Sequence, residues 1–481
     1  MNPLNRIVNN QLNYLVLFVS LTLLAGCTLG PVGAPPTLPA DAGYTAAPVV
    51  LSPESGLRLS ANTAPVAQWW QQLDSPQLDG LIAQALQHNP DLAAQQAALK
   101  AAQEYAAAGQ SMLFPSVQAG FSPSRQKVAR EISSTLSSGS NLFNLHTAQV
   151  QITYPLDVFG GNRRQVEAGQ ALAAQQAALV DAARITLINT VILGAVQYAA
   201  LVDAAKCTEM LVALNQTALD RTRRQIALGQ LSASSALVAQ TALAQTQSTQ
   251  VALHKQILLQ RNQLNALVGQ YPNQPLALPE SLAEFHLPDV LPLSLPAELV
   301  RNRPDIVAAG ASLHAAAAQV GVAMAARLPQ ITLTADGGYV GSALAGLLSS
   351  PNQFWSLVGG MSQPIFDAGG LAHRQKAAEA LYDQARAQYR STVLNAFVNV
   401  ADSLHALQED SSARTLAAQT EQLAGQSWLA AQKQVELGAI SPFDVLSVEQ
   451  SYRQASLAVV QSEAVMYMDV AALYQALGGT W

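Results

Sequence analysis

The chain has 481 residues, of which 12% are charged and 50% are hydrophobic, and its formal net charge is -6 at pH 7. This length would suit roughly three ordinary domains, but soluble domains carry about 25% charged residues, so the composition favours a less usual architecture. The acidic balance excludes a broad basic surface, and we expect no nucleic-acid partner. Two cysteines, Cys27 and Cys207, are too few for a disulfide framework or a Cys-rich zinc site.

Residues 1–26 have the features of a bacterial lipoprotein signal peptide. Arg6 precedes an apolar run of about twelve residues that ends at Ala25, which is too short to span a bilayer. The run leads into Leu24-Ala-Gly-Cys27, which resembles a lipobox, where the cysteine receives a diacylglyceryl group and the new amino terminus is acylated. This resemblance predicts lipid attachment at Cys27, and Thr28 after it favours the outer membrane. The alternative is a plain signal peptide with an incidental cysteine.

The segment 27–65 is predicted to be a flexible, acylated tether. It is rich in Pro, Gly, Ala and Thr and cannot bury enough apolar surface to form a fold of its own. After Cys27 the chain has no unbroken apolar run of eighteen residues, although its mean hydropathy is +0.17. We therefore predict no membrane-spanning helix in the mature chain, so that any insertion must use strands.

The remainder of the chain is an internal duplication. Asn89-Pro-Asp-Leu92 recurs as Arg303-Pro-Asp-Ile306, and Leu113-Phe-Pro-Ser-Val117 recurs as Arg327-Leu-Pro-Gln-Ile331, both at a shift of 214 positions. Later matches, Tyr154-Pro-Leu156 with Gln363-Pro-Ile365 and Leu228-Gly-Gln-Leu-Ser232 with Leu437-Gly-Ala-Ile-Ser441, have a shift of 209. One length difference between Pro115 and Tyr154 reconciles the shifts. The predicted repeats are 66–270 and 296–478, joined by a Pro-rich linker at 271–295.

Each repeat is predicted to contain a helix, a strand segment and a long helical hairpin. The first helices cover Leu78 to Met112 and Pro296 to Arg327. The long stretches Gly161 to Leu228 and Gly370 to Leu437 would each extend about 100 Å as helices. Return helices follow, with Ser232 and Ser441 as N-caps. An ordinary antiparallel helix bundle is the alternative interpretation of these hairpins.

Between the short and long helices the hydrophobic period falls to two, which predicts strands. Val117, Ala119 and Phe121 alternate with polar or small residues, and similar alternation follows around Val150 and Ile331. The fourth segment, Trp355 to Ser362, is less regular because Val358 lies at a polar position. Each segment matches the ~9–11 residues of a tilted membrane strand, but two soluble hairpins fit equally well.

Four membrane strands cannot close into a barrel within one subunit, and open edges in lipid are costly. Two copies would give eight strands and a filled interior, whereas three copies would give twelve strands and room for a duct. If the strands enter a membrane, the sequence therefore predicts a homotrimer.

These motifs resemble the lipoprotein branch of the TolC/OprM-like outer-membrane efflux factors. The resemblance rests on the lipobox, the Trp69-Trp70 pair, the Asn-Pro-Asp and Arg-Pro-Asp helix starts, and Pro364-Ile-Phe-Asp-Ala-Gly-Gly370. It implies a mainly α fold with a membrane β-barrel: a homotrimer with a twelve-stranded outer-membrane barrel and a periplasmic α-helical tunnel. It also implies a passive exit duct that works with a periplasmic adaptor protein and an inner-membrane pump, often of the resistance-nodulation-division class.

The resemblance assigns roles to the hairpin tips. It makes the two turns the adaptor-docking sites, namely Gly229, Leu231, Ser232, Gly438, Ile440 and Ser441. Phe443 and Asp444 match positions that line the periplasmic gate, where three copies of Asp444 would form an acidic ring. The alternative is that Asp444 only complements its helix dipole. The equivalent first-half position is Ser235, so a second acidic ring is not expected.

No catalytic or metal-binding motif accompanies these features. The seven histidines are scattered, and we find no His-Glu-x-x-His, Gly-x-Ser-x-Gly or phosphate-binding loop, so we predict no enzyme activity and no cofactor beyond the lipid on Cys27. Cys207 is predicted to be a buried apolar residue, and Asp157 and Asp367 to cap helices. Two other functions remain open: the exit duct of a type I protein secretion system, and a lipid-anchored periplasmic coiled-coil scaffold.

Overall fold

A computed structural model describes residues 29–37, 43–46, 49–51, 56–61, 66–129, 142–293 and 296–479. The predicted signal peptide and Cys27 lie outside the described residues. The described part of the chain forms eight α-helices and six β-strands. In chain order they are β1 (Arg58–Ala61), α1 (Pro76–His88), α2 (Pro90–Gly109), β2 (Ser116–Lys127), β3 (Leu142–Leu156), α3 (Gly161–Ala227), α4 (Ala233–Leu267), β4 (Val290–Leu293), α5 (Pro296–Asn302), α6 (Pro304–Ala325), β5 (Gln330–Gly341), β6 (Gln353–Ser362), α7 (Gly370–Glu436) and α8 (Asp444–Ala476).

The same element order occurs twice, as two helices, two strands, one long helix and one return helix. The long helices α3 and α7 have 67 residues each, and the return helices α4 and α8 have 35 and 33. At 1.5 Å per residue, a 67-residue helix extends about 100 Å. The predicted mainly helical class with long hairpins is confirmed by these elements.

The first helix of each half is broken where the sequence predicted a continuous one. Proline cannot donate a backbone hydrogen bond and disfavours helical geometry in the residue before it, and Asn89 before Pro90 is extended at φ -65° and ψ 122°. Pro304 separates α5 from α6 in the same way. The prediction of one helix per half at these positions was therefore wrong.

The residue before each of these prolines fastens the end of a return helix. Asn89 Nδ2 donates to the carbonyl of Leu267 at 2.9 Å, and Arg303 Nη1 donates to the carbonyl of Ala476 at 2.9 Å. Both carbonyls belong to the last residue of a helix, where no intrahelical donor exists. The repeated Asn-Pro-Asp and Arg-Pro-Asp motifs thus join the start of each repeat to its end.

The main sheet is antiparallel, with the strand order β2-β3-β5-β6. Ser116 lies opposite Thr153 in the first hairpin, and Gln330 lies opposite Ser362 in the second. The middle pair β3-β5 joins the two halves, with Ile152 opposite Ala335. All four strand segments predicted from the sequence are present.

The chain divides into two compact units. The first contains the sheet, Leu99–Gln176, Ala308–Tyr389 and the described residues up to Pro36. In this unit the start of the predicted tether is bound by Arg164, which is buried and donates to the carbonyl of Leu29 at 2.8 Å. Arg164 also forms an ion pair with Glu167 at 2.9 Å, and Glu167 lies 3.0 Å from His314. A flexible tether was therefore the wrong prediction for this part of 27–65, because a buried guanidinium needs the acceptors that it provides.

The second unit contains Thr37–Ala98, Ala177–Val307 and Arg390–Trp481. Strand β1, from the predicted tether, pairs in parallel with β4, from the predicted linker. The rings of Trp69 and Tyr474 stack at 4.1 Å in its core, and Tyr44 packs against Phe397 at 5.4 Å. The tether and the linker thus contribute structure that their Pro-rich composition did not predict, because each supplies the backbone partner of the other.

Three helices are long and apolar enough to cross a membrane by length and composition alone. They are α3, α6 and α8, with mean hydropathies of 1.8, 1.5 and 1.2 over their most apolar 18 residues. The prediction that no helix could span rested on unbroken apolar runs, whereas a mean tolerates interspersed polar residues such as Asn189. By length and composition, the prediction of no helix that could span a membrane is therefore corrected. The same windows are 61%, 44% and 33% buried by the chain, which indicates that part of their apolar surface serves internal packing.

Candidate functional site

One face of the main sheet is apolar across all four strands. The register places Val117, Ile152, Ala335 and Leu357 in one row, and Val150 and Trp355 flank Gly337 in the next. These side chains are not covered by the chain, since Val117 is 65% exposed and Trp355 is 79% exposed. A wide exposed apolar face of this kind marks a surface that contacts lipid or another protein.

The opposite face of the sheet is polar. The row Gln118, Gln151, Asp336 and Ser356 lies there, and Ser356 Oγ donates to Asp336 Oδ2 at 3.1 Å. Val358 also lies on this face, as its irregular position in the sequence indicated. One apolar and one polar face on the same sheet is the pattern expected of a membrane barrel wall.

The sheet has two unpaired edges within the described residues. Strands β2 and β6 each pair with one neighbour only. In hydrocarbon, every backbone group left without a partner costs several kcal/mol. If the apolar face lies in lipid, both edges need strands from outside the chain.

The two hairpin tips have the same backbone structure. Gly229 and Gly438 have φ values of +76° and +73°, a conformation that side-chain-bearing residues rarely adopt. Each glycine follows a long helix and donates to the carbonyl three residues earlier, at 2.9 Å and 3.0 Å. This is the Schellman ending of a helix, and it turns the chain back towards the return helix.

The residues after the two glycines differ. Ser232 is the N-cap residue of α4 but its side chain makes no capping bond, and its Oγ lies 2.6 Å from Ser234 Oγ instead. In the second tip the N–H of Asp444 donates to Ser441 Oγ at 3.3 Å, while Asp444 Oδ2 accepts from the N–H and Oγ of Ser441 at 3.1 Å and 2.9 Å. Such a reciprocal pair has the bonding of a capping box, but the N-cap residue of α8 is Phe443, so the predicted N-cap position Ser441 was two residues too early.

The predicted gate residues lie beside this box. Phe443 precedes the first residue of α8 and is 39% exposed, and Asp444 is exposed. In a single subunit the Asp444 carboxylate caps the turn, which fits the alternative that the sequence left open. The other predicted tip residues are exposed, except Ile440, which is half-buried.

Two contacts in the second unit were not predicted from the sequence. The guanidinium of Arg221, on α3, donates to the carbonyl of Pro442 and so joins the first hairpin to the second tip. Asp410 on α7 and Asp469 on α8 interact, and burial, followed by hydrogen bonding with Asp410 and the charge of Asp410, raises the pKa of Asp469 to about 7. The cluster Arg221, Arg223 and Arg224 was a visible signal for the first contact, but nothing in the sequence around Asp410 and Asp469 indicated the second.

The capping roles of Asp157 and Asp367 are confirmed. Asp157 Oδ1 accepts from the N–H of Asn162 at 3.0 Å, and Asp367 Oδ2 accepts from the N–H of Leu371 at 2.6 Å. The second bond, with a further one from Gly369, lowers the pKa of Asp367. Cys207 is buried, as predicted.

Within the part of the chain that the structure describes, no group of three or more His, Cys, Asp or Glu residues is placed to hold a metal ion. The predicted lipid site, Cys27, lies outside that part. The nearest described residue, Leu29, is the one that Arg164 binds.

The chain was compared with known proteins. A family model described as outer membrane efflux protein matches residues 81–270 and 295–479. The pyoverdine export outer membrane protein OpmQ of Pseudomonas putida is 30% identical over 431 residues, which cover 88% of this chain and 90% of that protein. The toluene efflux pump outer membrane protein TtgC of the same species is 29% identical, with 97% and 95% covered.

Solved structures show the same likeness. The crystal structure of the outer membrane protein VceC from Vibrio cholerae matches with a TM-score of 0.75 and 28% identity, covering 86% of this chain and 99% of that chain. The resemblance drawn from the sequence motifs is thereby confirmed. Together with the family match over most of its length, these likenesses show that the chain belongs to the outer membrane efflux protein family.

Proposed function

We propose that this protein is the outer-membrane exit duct of a tripartite efflux pump, a passive conduit for small toxic compounds. The observation that carries the proposal is the sheet: one face is apolar across four strands, the other is polar, and neither edge has a partner strand in the described part of the chain. A wall of this kind suits a water-filled channel through lipid.

We assign the lipid contact to the sheet and not to the apolar helices. The exposed apolar side chains of the sheet form continuous rows, whereas the most apolar helix windows are 33–61% buried by the chain itself. Three copies of four strands would close a twelve-stranded barrel with room for a duct. The long hairpins of the same three subunits would line a periplasmic tunnel.

The amino terminus would add a second attachment to the outer membrane. Acyl chains on Cys27 would each contribute ~0.8 kcal/mol per buried CH₂ group, and several chains give lasting attachment. The contact between Arg164 and Leu29 supports this role, because it fixes the chain two residues after the modified cysteine.

The tips are proposed to meet the other pump components. Gly229, Leu231, Ser232, Gly438, Ile440 and Ser441 would dock a periplasmic adaptor, which connects the duct to an inner-membrane pump of the resistance-nodulation-division class. Phe443 and Asp444 would line the periplasmic gate, where three carboxylates repel anions and attract cations. The capping bond of Asp444 to Ser441 leaves Oδ1 for such a role.

The substrates are proposed to be small molecules. The relatives named above include a pyoverdine exporter and a toluene efflux protein, and these two substrates share little chemistry. A passive duct requires no dedicated binding site for either, which agrees with the role of a common exit.

The test is deletion of the gene followed by two measurements. We expect increased susceptibility to small toxic compounds with unchanged secretion of proteins, and restoration by the intact gene. Loss of one exported protein without a change in susceptibility would favour a type I secretion duct instead. A purified, acylated protein that is monomeric and needs no detergent would leave only the scaffold interpretation.

A further inference from the structure

Two basic residues lie at the end of the main sheet that is remote from the helices. Helix α2 leads into the start of β2 and the end of β3 leads into α3, so Lys127 and Leu142 lie at the other end of the sheet. The proposed exit duct has its helices in the periplasm, and this end would then face the cell exterior. Arg125 and Lys127 lie on the apolar face of the sheet, because they alternate in step with Phe121.

Aromatic residues mark the edge of the apolar band below these two cations. Phe121 and Tyr339 lie in one row of the sheet, and Trp355 lies in the next row towards the helices. Phe121 is 54% exposed and Trp355 is 79% exposed, and such residues are typical of a membrane–water interface. The four residues from Phe121 to Arg125 rise about 14 Å along the strand, or about 10 Å in depth at a tilt of ~40°. Arg125 and Lys127 would therefore lie at the level of the lipid headgroups.

The two cations have no acidic partner among the described residues. Neither Arg125 nor Lys127 forms an ion pair within that part of the chain. Asp336, the one acidic residue of the four strands, lies on the polar face. The segment 130–141 adds one arginine and one glutamate to the sequence, so it leaves the balance of charge unchanged. The described neighbours of the two cations contain no acidic side chain, namely 123–129, 142–147 and 340–352.

The first hairpin alone carries this pair of cations. At the shift of 214, the counterparts of Arg125 and Lys127 are Tyr339 and Gly341, which are uncharged. The second hairpin pairs its strands without such cations, so strand pairing does not require them. Asn144 lies opposite Arg125 on β3, is exposed, and can donate an amide N–H to an anion. A chain with a net charge of -6 thus presents a local excess of positive charge and donors at this rim.

From these observations we infer that Arg125 and Lys127 bind phosphate groups of a lipid in the outer leaflet, with Asn144 as a neutral donor. A guanidinium fits phosphate oxygens as a bidentate donor, and an ammonium binds them as a point charge. Both side chains have apolar stems that can extend along the sheet while the charged groups reach the headgroups. The inference rests on the proposed exit duct, because only a sheet inserted in the membrane brings this rim to the lipid headgroups.

Native mass spectrometry of the purified protein tests the inference. The probes are lipid A with both phosphates and the same lipid with both phosphates removed. One cation near an anionic lipid surface changes affinity about fivefold, so two cations should give the phosphorylated lipid at least about a tenfold preference. We expect Arg125→Gln with Lys127→Gln to abolish this preference. The swap Arg125→Lys with Lys127→Arg should keep it, because both charges remain.

The matched control is Lys255→Gln with Lys433→Gln. These exposed lysines lie on α4 and α7, and their removal changes the net charge by the same amount. The control should keep the preference for the phosphorylated lipid. If the intact protein binds both lipids alike, or if the control loses the preference as fully as the rim variant, the inference is wrong.

Charged residues on an edge strand can also discourage aggregation through that edge. If Arg125→Gln with Lys127→Gln keeps the full preference, the two cations have no role in phosphate binding and the inference fails. Heat-resistant trimer migration reports separately on the proposed function. A heat-resistant trimer without a preference for phosphate overturns this inference alone, whereas a monomer that needs no detergent overturns the exit duct.

Discussion

The two halves of the first unit contain equivalent residues in different surroundings. Ala168, near the start of α3, is fully buried, while Ala377, its counterpart on α7, is exposed. Helix α3 has neighbours on two sides, since Gly169 approaches Ala106 of α2 and Gly161 approaches Ala325 of α6. Ala168 and Ala377 thus differ in burial because the chain packs other segments around α3 at this position but leaves α7 uncovered at the equivalent one.

This difference shows where the duplicated chain is incomplete. The first half packs against the second, and in the proposed trimer the exposed side of the second half would pack against the first half of another copy. The exposed Ile365 and Phe366 follow β6, whose outer edge has no partner among the described residues. Substitutions at equivalent positions can therefore separate folding of the chain from its assembly.

The largest effect is expected on the apolar face of the sheet. Leu357→Arg and its first-half counterpart Ala148→Arg should each destabilise the assembled protein by about 2–4 kcal/mol, because a lipid-facing arginine near the midplane is costly. Loss of heat-resistant trimers and of outer-membrane protein level would measure this. Ser356→Arg, on the polar face, should have little effect, and equal loss in this control would contradict the assignment of the lipid face.

A smaller effect separates the two alanines. Ala168→Leu should lower the free energy of unfolding by about 1–3 kcal/mol, since it overpacks a site without free space. Ala377→Leu should leave the chain folded and reduce the trimer fraction. Protease resistance measures folding and native electrophoresis measures assembly. If the two variants behave alike in both assays, the difference in packing around Ala168 and Ala377 has no effect on folding or assembly, and this prediction is wrong.

The pair Asp410 and Asp469, on α7 and α8, has no acidic counterpart in the first half. At the shift of 209 the equivalent residues are Leu201 and Gln260. These helices lie outside the strands that we propose to span the membrane. Because the pKa of Asp469 is raised to about 7, the folded state holds a proton that the unfolded state releases near pH 4. Stability should fall as the pH rises from about 4 to 7 and then level off.

Asp469→Asn should remove this pH dependence and stabilise the protein at pH 8 by about 1–2 kcal/mol, a value reduced for the half-exposed position of the group. Thermal unfolding at pH 5 and pH 8 measures it. The exposed Asp402→Asn, also on α7, is the control and should retain the slope. A slope that persists in Asp469→Asn would show that the pair does not titrate in this range.

The smallest effect compares the two tips. Ser441→Ala should destabilise its turn by about 1 kcal/mol because it removes the capping box, whereas Ser232→Ala should change stability by only a few tenths, since that hydroxyl caps nothing. Hydrogen exchange of the first turns of α4 and α8 measures the difference. Equal loss of protection in both tips would show that the two serines act alike.

Much of the fold was predictable because it follows local rules. The glycines after α3 and α7, the alternation of Val117, Ala119 and Phe121, and the shifts of 214 and 209 predicted the tips, the strands and the duplication. The helix breaks at Pro90 and Pro304 were also visible in the sequence but were outweighed by the long apolar period around them. The tip and gate roles followed from family resemblance, and they remain proposals.

The sequence by itself determined the order, type and approximate length of the four main-sheet strands and of the long hairpin helices, because periodicity, proline and glycine act over a few residues. Only the tertiary structure decided which equivalent residues are covered and which are not. Only the structure shows that the tether contacts Arg164 and β4, and that Asp410 lies beside Asp469. Burial depends on which distant segments supply neighbouring atoms, and two halves with nearly the same local pattern receive different neighbours in one chain.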